Sequence, residues 1–207
     1  MNLIAPKNLF SGTLFAALLA FSSCGGDDGP SSASVRFADT NLKSKICEAL
    51  GKPTGAFLTG KDLVLLENLE ISEGEITNLS GLEYATQLTK LKLGGNKVTS
   101  VFPLAKLTNL TNLDLSSNRI SGVSKLAKLK NLTNLNLSGN QIADVAPLAK
   151  LTNLTSLDLS QNRIVDAAPL AKLTKLTSLI LVGSGNGVDS RRTMLEKALP
   201  NCIIQFE

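Results

Sequence analysis

The sequence predicts an α/β solenoid, a right-handed coil with a concave sheet of short parallel strands and a convex side of short helical or 3₁₀ arcs. Two observations predict it. Four consecutive 22-residue segments, beginning at residues 88, 110, 132 and 154, superpose without a gap, and weaker copies begin at residues 66 and 176. The apolar residues are mostly aliphatic, since 43% of the 207 residues are hydrophobic but only 4% are aromatic. Repeats of this length indicate stacked units that bury one continuous core between neighbours.

The strand of each repeat is predicted by its LxLxL spacing. Leucine or isoleucine occupies the fourth and sixth positions of every repeat, as at Leu91 and Leu93. Alternate residues of a strand face opposite sides, so these two positions point into the core and the residue between them points outward. Every repeat restarts in the same direction, which requires the strands to be parallel.

An asparagine follows the predicted strand in each of the four regular repeats. These residues are Asn96, Asn118, Asn140 and Asn162. A chain that turns away from the sheet leaves backbone N–H and C=O groups in the core, and each unpaired group costs about 1–3 kcal/mol. An inward amide can both donate and accept. We therefore expect a structural asparagine ladder rather than a set of ligand contacts.

The arc of each repeat begins near an Asp and a Pro in two copies. Asp144 and Asp166 precede Pro147 and Pro169. Asp favours a helix cap and Pro favours the first turn, so a short helical or 3₁₀ segment is predicted to start there. Leu and Ala positions of the arc then return to the core.

The pattern LxxLxLxxNxI resembles that of leucine-rich repeats, and the form with DxxPLxxLTNL is similar to the internalin-like repeats of bacterial surface proteins. The resemblance extends over residues 37–206. Residues 37–69 resemble the helical N-terminal cap of that group, with Thr59 and Asp62 spaced as in a capping box. Residues 190–207 resemble its C-terminal cap. We therefore divide the chain into a cap at 35–65, repeats at 66–187 and a second cap at 188–207.

The first residues are typical of an exported lipoprotein. Lys7 precedes an apolar run over residues 9–21, which is short for a membrane span. The following FSSC resembles the bacterial lipobox, which implies cleavage after residue 23 and acylation of Cys24. Residues 24–34 are small and polar, as expected of a flexible tether. An ordinary signal peptide cleaved nearby, with Cys24 incidental, is the alternative.

The composition excludes several kinds of site. The chain has no His, which removes Ser-His-Asp and Cys-His catalysis and His-ligated zinc. Of its three Cys, Cys47 and Cys202 fall in opposite caps; six strands at about 4.8 Å separate them by some 25 Å, so no disulfide joins them and both are predicted to be buried. The glycines at 183–187 stand where the last arc is shortened, and their spacing fits no phosphate-binding loop. We expect no enzyme, cofactor, metal or nucleic-acid partner.

The concave face is the candidate binding face, because repeat proteins usually bind there. Its predicted outward residues are polar and mixed in sign, namely Glu70, Lys92, Asp114, Asn136 and Asp158, followed by the basic residues Lys97, Arg119 and Arg163. No aromatic residue is predicted among them, whereas hot spots of protein interfaces favour Trp, Tyr and Arg. The sequence therefore predicts a surface for an unknown protein or polysaccharide without naming it.

Charge is distributed unevenly along the chain. Residues 88–175 hold 12 basic and 4 acidic residues, and one lysine recurs in each arc: Lys106, Lys128, Lys150 and Lys172. Two interpretations stay open. The lysines keep an apolar solenoid soluble, or they attract anionic lipid or polysaccharide.

Together these features predict a monomeric, non-catalytic adhesion or recognition module. The module is anchored by lipid in a bacterial envelope, at the outer membrane or cell surface. A structural scaffold that faces the periplasm is the alternative.

Overall fold

The computed structural model describes residues 33–206, apart from the side chains of residues 186 and 187. Within this part of the chain, seven three-residue strands form one open parallel sheet in chain order. The strands are β1 (Asn68–Glu70), β2 (Lys90–Lys92), β3 (Asn112–Asp114), β4 (Asn134–Asn136), β5 (Ser156–Asp158), β6 (Ser178–Ile180) and β7 (Ile203–Gln205). From β1 to β6 the register advances by one repeat, as Leu91 pairs with Leu113 and Leu113 with Leu135. The predicted fold class is confirmed. The predicted signal peptide, Cys24 and most of the tether lie outside the described residues.

The connections on the other side of the core are 3₁₀ segments. Arcs 1 to 5 cover Leu82–Tyr84, Phe102–Lys106, Ser124–Lys128, Ala146–Lys150 and Ala168–Lys172. Asp144 is the expected cap of its arc, but the capping residue is Val145, one position later. Asp144 Oδ1 instead accepts from the Ala146 N–H at 2.8 Å. A carboxylate that accepts two residues ahead stabilises the turn into the arc.

The core is a continuous stack of aliphatic side chains between the sheet and the arcs. Leu91, Leu93 and Leu104 are fully buried, and their equivalents in the neighbouring repeats are at most 3% exposed. Among residues 33–206, every buried side-chain nitrogen or oxygen has a hydrogen-bond partner. The buried polar side chains of this part of the solenoid are therefore paired.

The asparagine ladder joins consecutive repeats. Asn118 Nδ2 donates to the carbonyl oxygens of Leu93 (2.8 Å) and Leu115 (3.1 Å), and its Oδ1 accepts from the Val98 N–H at 2.9 Å. Asn96, Asn140 and Asn162 repeat this arrangement. In the last repeat Ser184 takes the position: its Oγ donates to Leu159 O at 2.6 Å, and its backbone carbonyl accepts from Ile164 N.

The N-terminal cap consists of α1 (Thr40–Ala49) and α2 (Gly60–Leu63). α1 buries Leu42, Ile46 and Cys47 against the first repeat. The capping box of α2 is present, since Thr59 N–H donates to Asp62 Oδ2 at 2.8 Å and Asp62 N–H donates to Thr59 Oγ1. The cap covers the Leu side chains that the first repeat would otherwise expose.

Asp39 links this cap to the first repeat. Its Oδ1 accepts from Leu42 N–H at 3.0 Å and so caps α1, while its Oδ2 accepts from the backbone N–H and the hydroxyl of Thr77 at 2.8 and 2.9 Å. The carboxylate is 8% exposed. Burial raises the pKa of Asp39. The N–H donors of Thr77 and Leu42 together lower it by more than burial raises it, so the pKa lies below the usual value of 3.8.

The C-terminal cap contains α3 (Asn186–Asp189), α4 (Arg192–Ala198) and β7, which extends the sheet by one strand beyond the six expected from the repeats. Leu195 of α4 is fully buried over the last repeat. The prediction that both cap thiols are buried is wrong for Cys202, which is only partly buried, although this burial raises its pKa. Cys202 directly precedes β7, and this strand lacks the LxLxL pattern that directs side chains into the core in the repeats. Residues 33–206 thus cover both ends of their own core.

Candidate binding face

The third residue of each strand points away from the core; it is polar in β1–β5 and is Ile180 in β6. We call this side of β1–β6 the sheet face. It is the concave face of the prediction. Lys92, Asp114, Asn136 and Asp158 lie side by side in register on it. Neighbouring strands are about 4.8 Å apart, so the two carboxylates are separated by about 10 Å, with an amide between them.

Each of these acceptors is held by its own turn. Asp114 Oδ1 accepts from the Ser116 N–H at 2.9 Å, and Asp158 Oδ1 accepts from the N–H and the hydroxyl of Ser160 at 2.9 and 2.7 Å. Asn136 does the same with Ser138. One oxygen of each side chain is thereby fixed, which holds the remainder of the group in a defined orientation toward solvent. A fixed row of acceptors loses little conformational entropy when a ligand binds.

A second outward row, at the first position of the strands, was not among the predicted site residues. It consists of Lys90, Asn112, Asn134 and Ser156. The Thr111 and Thr133 hydroxyls donate to the amide oxygens of Asn112 and Asn134 at 2.9 Å. The period of two in a strand places this row on the same face as Asp114, so the pattern in the sequence contained the signal for it.

The two rows line a shallow groove of about 300 Å³ that runs across β2 to β6. Lys90 and Lys92 stand at one end, carboxylates, amides and one hydroxyl lie in the middle, and Ile180 stands at the other end. The groove is thus basic at one end, acidic and neutral polar in the middle and apolar at the other end.

The other predicted residues lie outside this groove. Glu70 forms an ion pair with Lys92 at 3.1 Å, and Lys97 pairs with Glu75. Arg119 and Arg163 are exposed beyond the strand ends. The structure therefore brings four of the eight predicted binding residues into one groove.

The chemistry available in the groove is recognition by hydrogen bonding. Its described lining consists of amides, carboxylates, lysines, one hydroxyl and aliphatic side chains. Across residues 33–206, no group of three or more His, Cys, Asp or Glu side chains could hold a metal ion. None of the helices in that same range is long and apolar enough to cross a bilayer.

The family follows from a comparison with known sequence families. The model "Leucine Rich repeats (2 copies)" matches residues 86–128, 108–150 and 152–190, which together span half of the chain. The chain belongs to the leucine-rich repeat family. A comparison with curated proteins finds no significant match.

Several solved structures of bacterial proteins have a fold similar to that of this leucine-rich repeat protein. An internalin (inlF) of Listeria monocytogenes is 31% identical with a TM-score of 0.64, over 72% of this chain and 51% of the internalin. Internalin C2 of the same species is 28% identical with a TM-score of 0.51, over 83% and 94%. A leucine-rich repeat protein of Leptospira interrogans is 26% identical with a TM-score of 0.64, over 70% and 38%. The chain thus spans about half of the first of these proteins and has an internalin-like solenoid.

Proposed function

We propose that this leucine-rich repeat protein is a lipid-anchored recognition module of a bacterial cell envelope, which binds a protein or a glycan on its sheet face without catalysis. The observation that carries the proposal is the groove across β2–β6, where turn-bound Asp and Asn side chains form two aligned polar rows. Repeat solenoids use such extended faces for binding. The similarity to internalins supports an exported location.

The groove is tested by reversing its two carboxylates. We expect that Asp114→Lys with Asp158→Lys abolishes capture of the partner, identified from glycan arrays and from cross-linking on cells, because both charges line the groove. The matched control is Asp144→Lys with Asp189→Lys, which changes the net charge equally at exposed sites outside the groove. Equal capture by both double variants would exclude the sheet face as the binding site.

The anchor is tested by metabolic labelling. Cells that express the full chain and receive an alkyne analogue of palmitate should label the wild type and the Cys202→Ser variant, but not the Cys24→Ser variant. A labelled Cys24→Ser variant would contradict the lipid anchor. Several acyl chains on one residue give stable membrane attachment, so the labelled wild type should be found in the membrane fraction.

The location is tested by protease treatment of intact cells. A recognition module at the cell surface is cleaved while the outer membrane is intact. A domain that resists until the outer membrane is opened would instead be the periplasm-facing scaffold.

A further inference from the structure

Two aromatic side chains lie exposed on the side of the solenoid opposite the sheet face. Tyr84 of arc 1 is 44% exposed and Phe102 of arc 2 is 63% exposed. Two depressions flank them; both are lined by Glu83 and Lys106, so the rings belong to one continuous surface. This is the largest concentration of exposed rings on the repeats, and neither ring serves the core.

The lysines of the arcs concentrate at the same place. Residues 99–109 and 121–131 contain four lysines and no acidic residue, whereas an aspartate, Asp144 or Asp166, stands two residues before each of the two following arcs. Lys125 Nζ lies 5.0 Å from the centre of the Phe102 ring, and Lys106 and Lys128 line the same depression of about 290 Å³. We call Tyr84, Phe102, Lys106, Lys125 and Lys128 the aromatic–basic patch.

The acidic group of this surface does not neutralise it. Glu83 Oε2 accepts from the Gly81 N–H at 2.7 Å, so the carboxylate is turned toward the backbone of its own arc. Glu83 keeps its negative charge, but it faces three lysines, Lys106, Lys125 and Lys128, so the formal charge of this surface is positive.

The chain enters the domain beside this patch. Residues 33–36, the first that the structure describes, line a depression together with Glu83 and Tyr84. From Cys24 to residue 33 the tether spans about 30 Å when fully extended and about 17 Å as a flexible coil. An acylated Cys24 therefore holds the bilayer within one domain width of the patch.

We propose that the aromatic–basic patch is the membrane-facing surface of the protein and binds the headgroup region of an anionic lipid bilayer. This inference rests on the proposed anchor at Cys24. Lysines near a bilayer are attracted by anionic headgroups, and aromatic rings settle at the membrane interface. Within residues 33–206, exposed rings beside lysines occur at this patch and at Phe57 with Lys43 in the N-terminal cap, which is the end of the solenoid where the tether emerges. Bound in this way, the domain turns its sheet face and groove away from the membrane.

The first test uses tryptophan as a reporter of contact, since the chain has no Trp of its own. Residues 24–207 carrying Cys24→Ser keep the whole described domain and cannot be acylated. In this protein Phe102→Trp should show a blue-shifted emission, and quenching by brominated acyl chains, on mixing with phosphatidylglycerol–phosphatidylcholine vesicles. The control Val165→Trp, at a side chain that is 73% exposed in the fifth repeat, should show neither. No shift at position 102, or equal shifts at both positions, would overturn the inference.

The second test compares two pairs of lysines from one column. Lys106→Glu with Lys128→Glu should lower the partition coefficient onto the same vesicles at least tenfold. Lys150→Glu with Lys172→Glu makes the same change of charge at equivalent arc positions and should lower it much less. Binding of the wild type should also weaken with salt and be absent on pure phosphatidylcholine. Equal losses from the two pairs would overturn the patch as the site.

An acidic polysaccharide is the competing partner for a basic surface. Retention on immobilised alginate that depends on Lys106 and Lys128, without any vesicle-induced shift of the Phe102→Trp emission, would assign the patch to a polysaccharide and contradict the proposal. Because the test protein is not acylated, these outcomes are independent of the palmitate labelling of Cys24 and of the groove variants.

Discussion

At the scale of single residues, Asn118 shows how one side chain fixes the register of neighbouring repeats. Its Nδ2 donates to a carbonyl of the preceding repeat and to one of its own, so the Leu93 and Leu115 oxygens each accept from two ladder residues. The acceptor side of the amide is not shared in this way. Among the described residues, Val98 N–H donates to Asn118 Oδ1 alone. Loss of Asn118 therefore orphans a buried donor rather than a carbonyl.

We expect Asn118→Leu to lower the free energy of unfolding by about 3 kcal/mol, because it leaves the Val98 N–H unpaired and removes the hydrogen bonds that Nδ2 donates. Gln141→Leu in the next repeat, at an exposed position, should change it by no more than about 0.5 kcal/mol. Urea unfolding followed by circular dichroism measures both. Equal midpoints for the two variants would show that the ladder does not support the fold.

Two carboxylates, Asp62 and Asp39, make the free energy of unfolding depend on pH in the acidic range. Lys52, whose ammonium lies 2.7 Å from Asp62 Oδ1, and the Thr59 N–H lower the pKa of Asp62 to about 2; the pKa of Asp39 is lowered too. A carboxyl whose folded pKa lies below its unfolded value stabilises the fold above pH 3.8, and this contribution disappears as the pH falls toward the folded pKa.

We therefore expect the unfolding free energy to fall as the pH drops from about 4 to about 2, by roughly 2 kcal/mol at most for Asp62. The double variant Asp39→Asn with Asp62→Asn should be less stable at neutral pH and should show a flatter pH profile. Asp189→Asn, at an exposed position, should keep the wild-type slope. An unchanged slope in the double variant would contradict this assignment.

At the scale of elements, the joint between the N-terminal cap and the first repeat depends on Gly81. This residue precedes arc 1 with φ of +100°, and a Cβ there would lie 2.7 Å from the Phe37 ring. Phe37 packs against the core at this point. Both the backbone conformation and the close approach of the ring require glycine.

Gly81→Ala should lower the unfolding free energy by about 1–3 kcal/mol, because it adds left-handed strain and displaces Phe37. Gly122→Ala is the matched control, since its φ is not positive and nothing lies within 4 Å of the added carbon. Thermal melts compare the two variants. A Gly81→Ala protein as stable as Gly122→Ala would mean that the cap moves freely against the repeat.

The sequence predicts what repeats and misses what occurs once. The strands β1–β6, the buried Leu positions and the row containing Asp114 follow from a period of 22 residues. Asp39 contacts Thr77 across 38 positions, which no local pattern signals. Ser184 replaces an asparagine by using its backbone carbonyl, and β7 joins the sheet without the LxLxL spacing. These contacts at the two ends of the solenoid join residues that are distant in the sequence or lie outside the repeat pattern. The sequence alone therefore predicts the positions of the caps along the chain but not their contacts.

At the scale of the whole molecule, the solenoid separates its chemistry onto two sides. The strand positions that face the core are invariably aliphatic, so all variation is left to the outward strand positions and to the arcs. The outward strand positions carry acceptors held by turns, and the arcs carry lysines and the exposed rings. Because each repeat contributes one residue to every row, either surface can change without altering the core.

This modularity predicts the outcome of removing one repeat. Deletion of residues 132–153 joins Asn131 to Leu154 and leaves every column in register, so the shortened chain should fold to a six-stranded sheet with a lower melting temperature, as nearest-neighbour stacking requires.

Deletion of residues 132–142 removes half as many residues but takes β4 and Asn140 while leaving arc 4. That arc then has no strand of its own, the Asn118 and Asn162 repeats cannot stack, and the Ile120 N–H loses its acceptor. We expect the smaller deletion to abolish the cooperative melt and the monodisperse elution that the larger one keeps. Equal behaviour of the two proteins in circular dichroism and size-exclusion chromatography would refute the view that the 22-residue period, rather than the amount of chain, determines the fold.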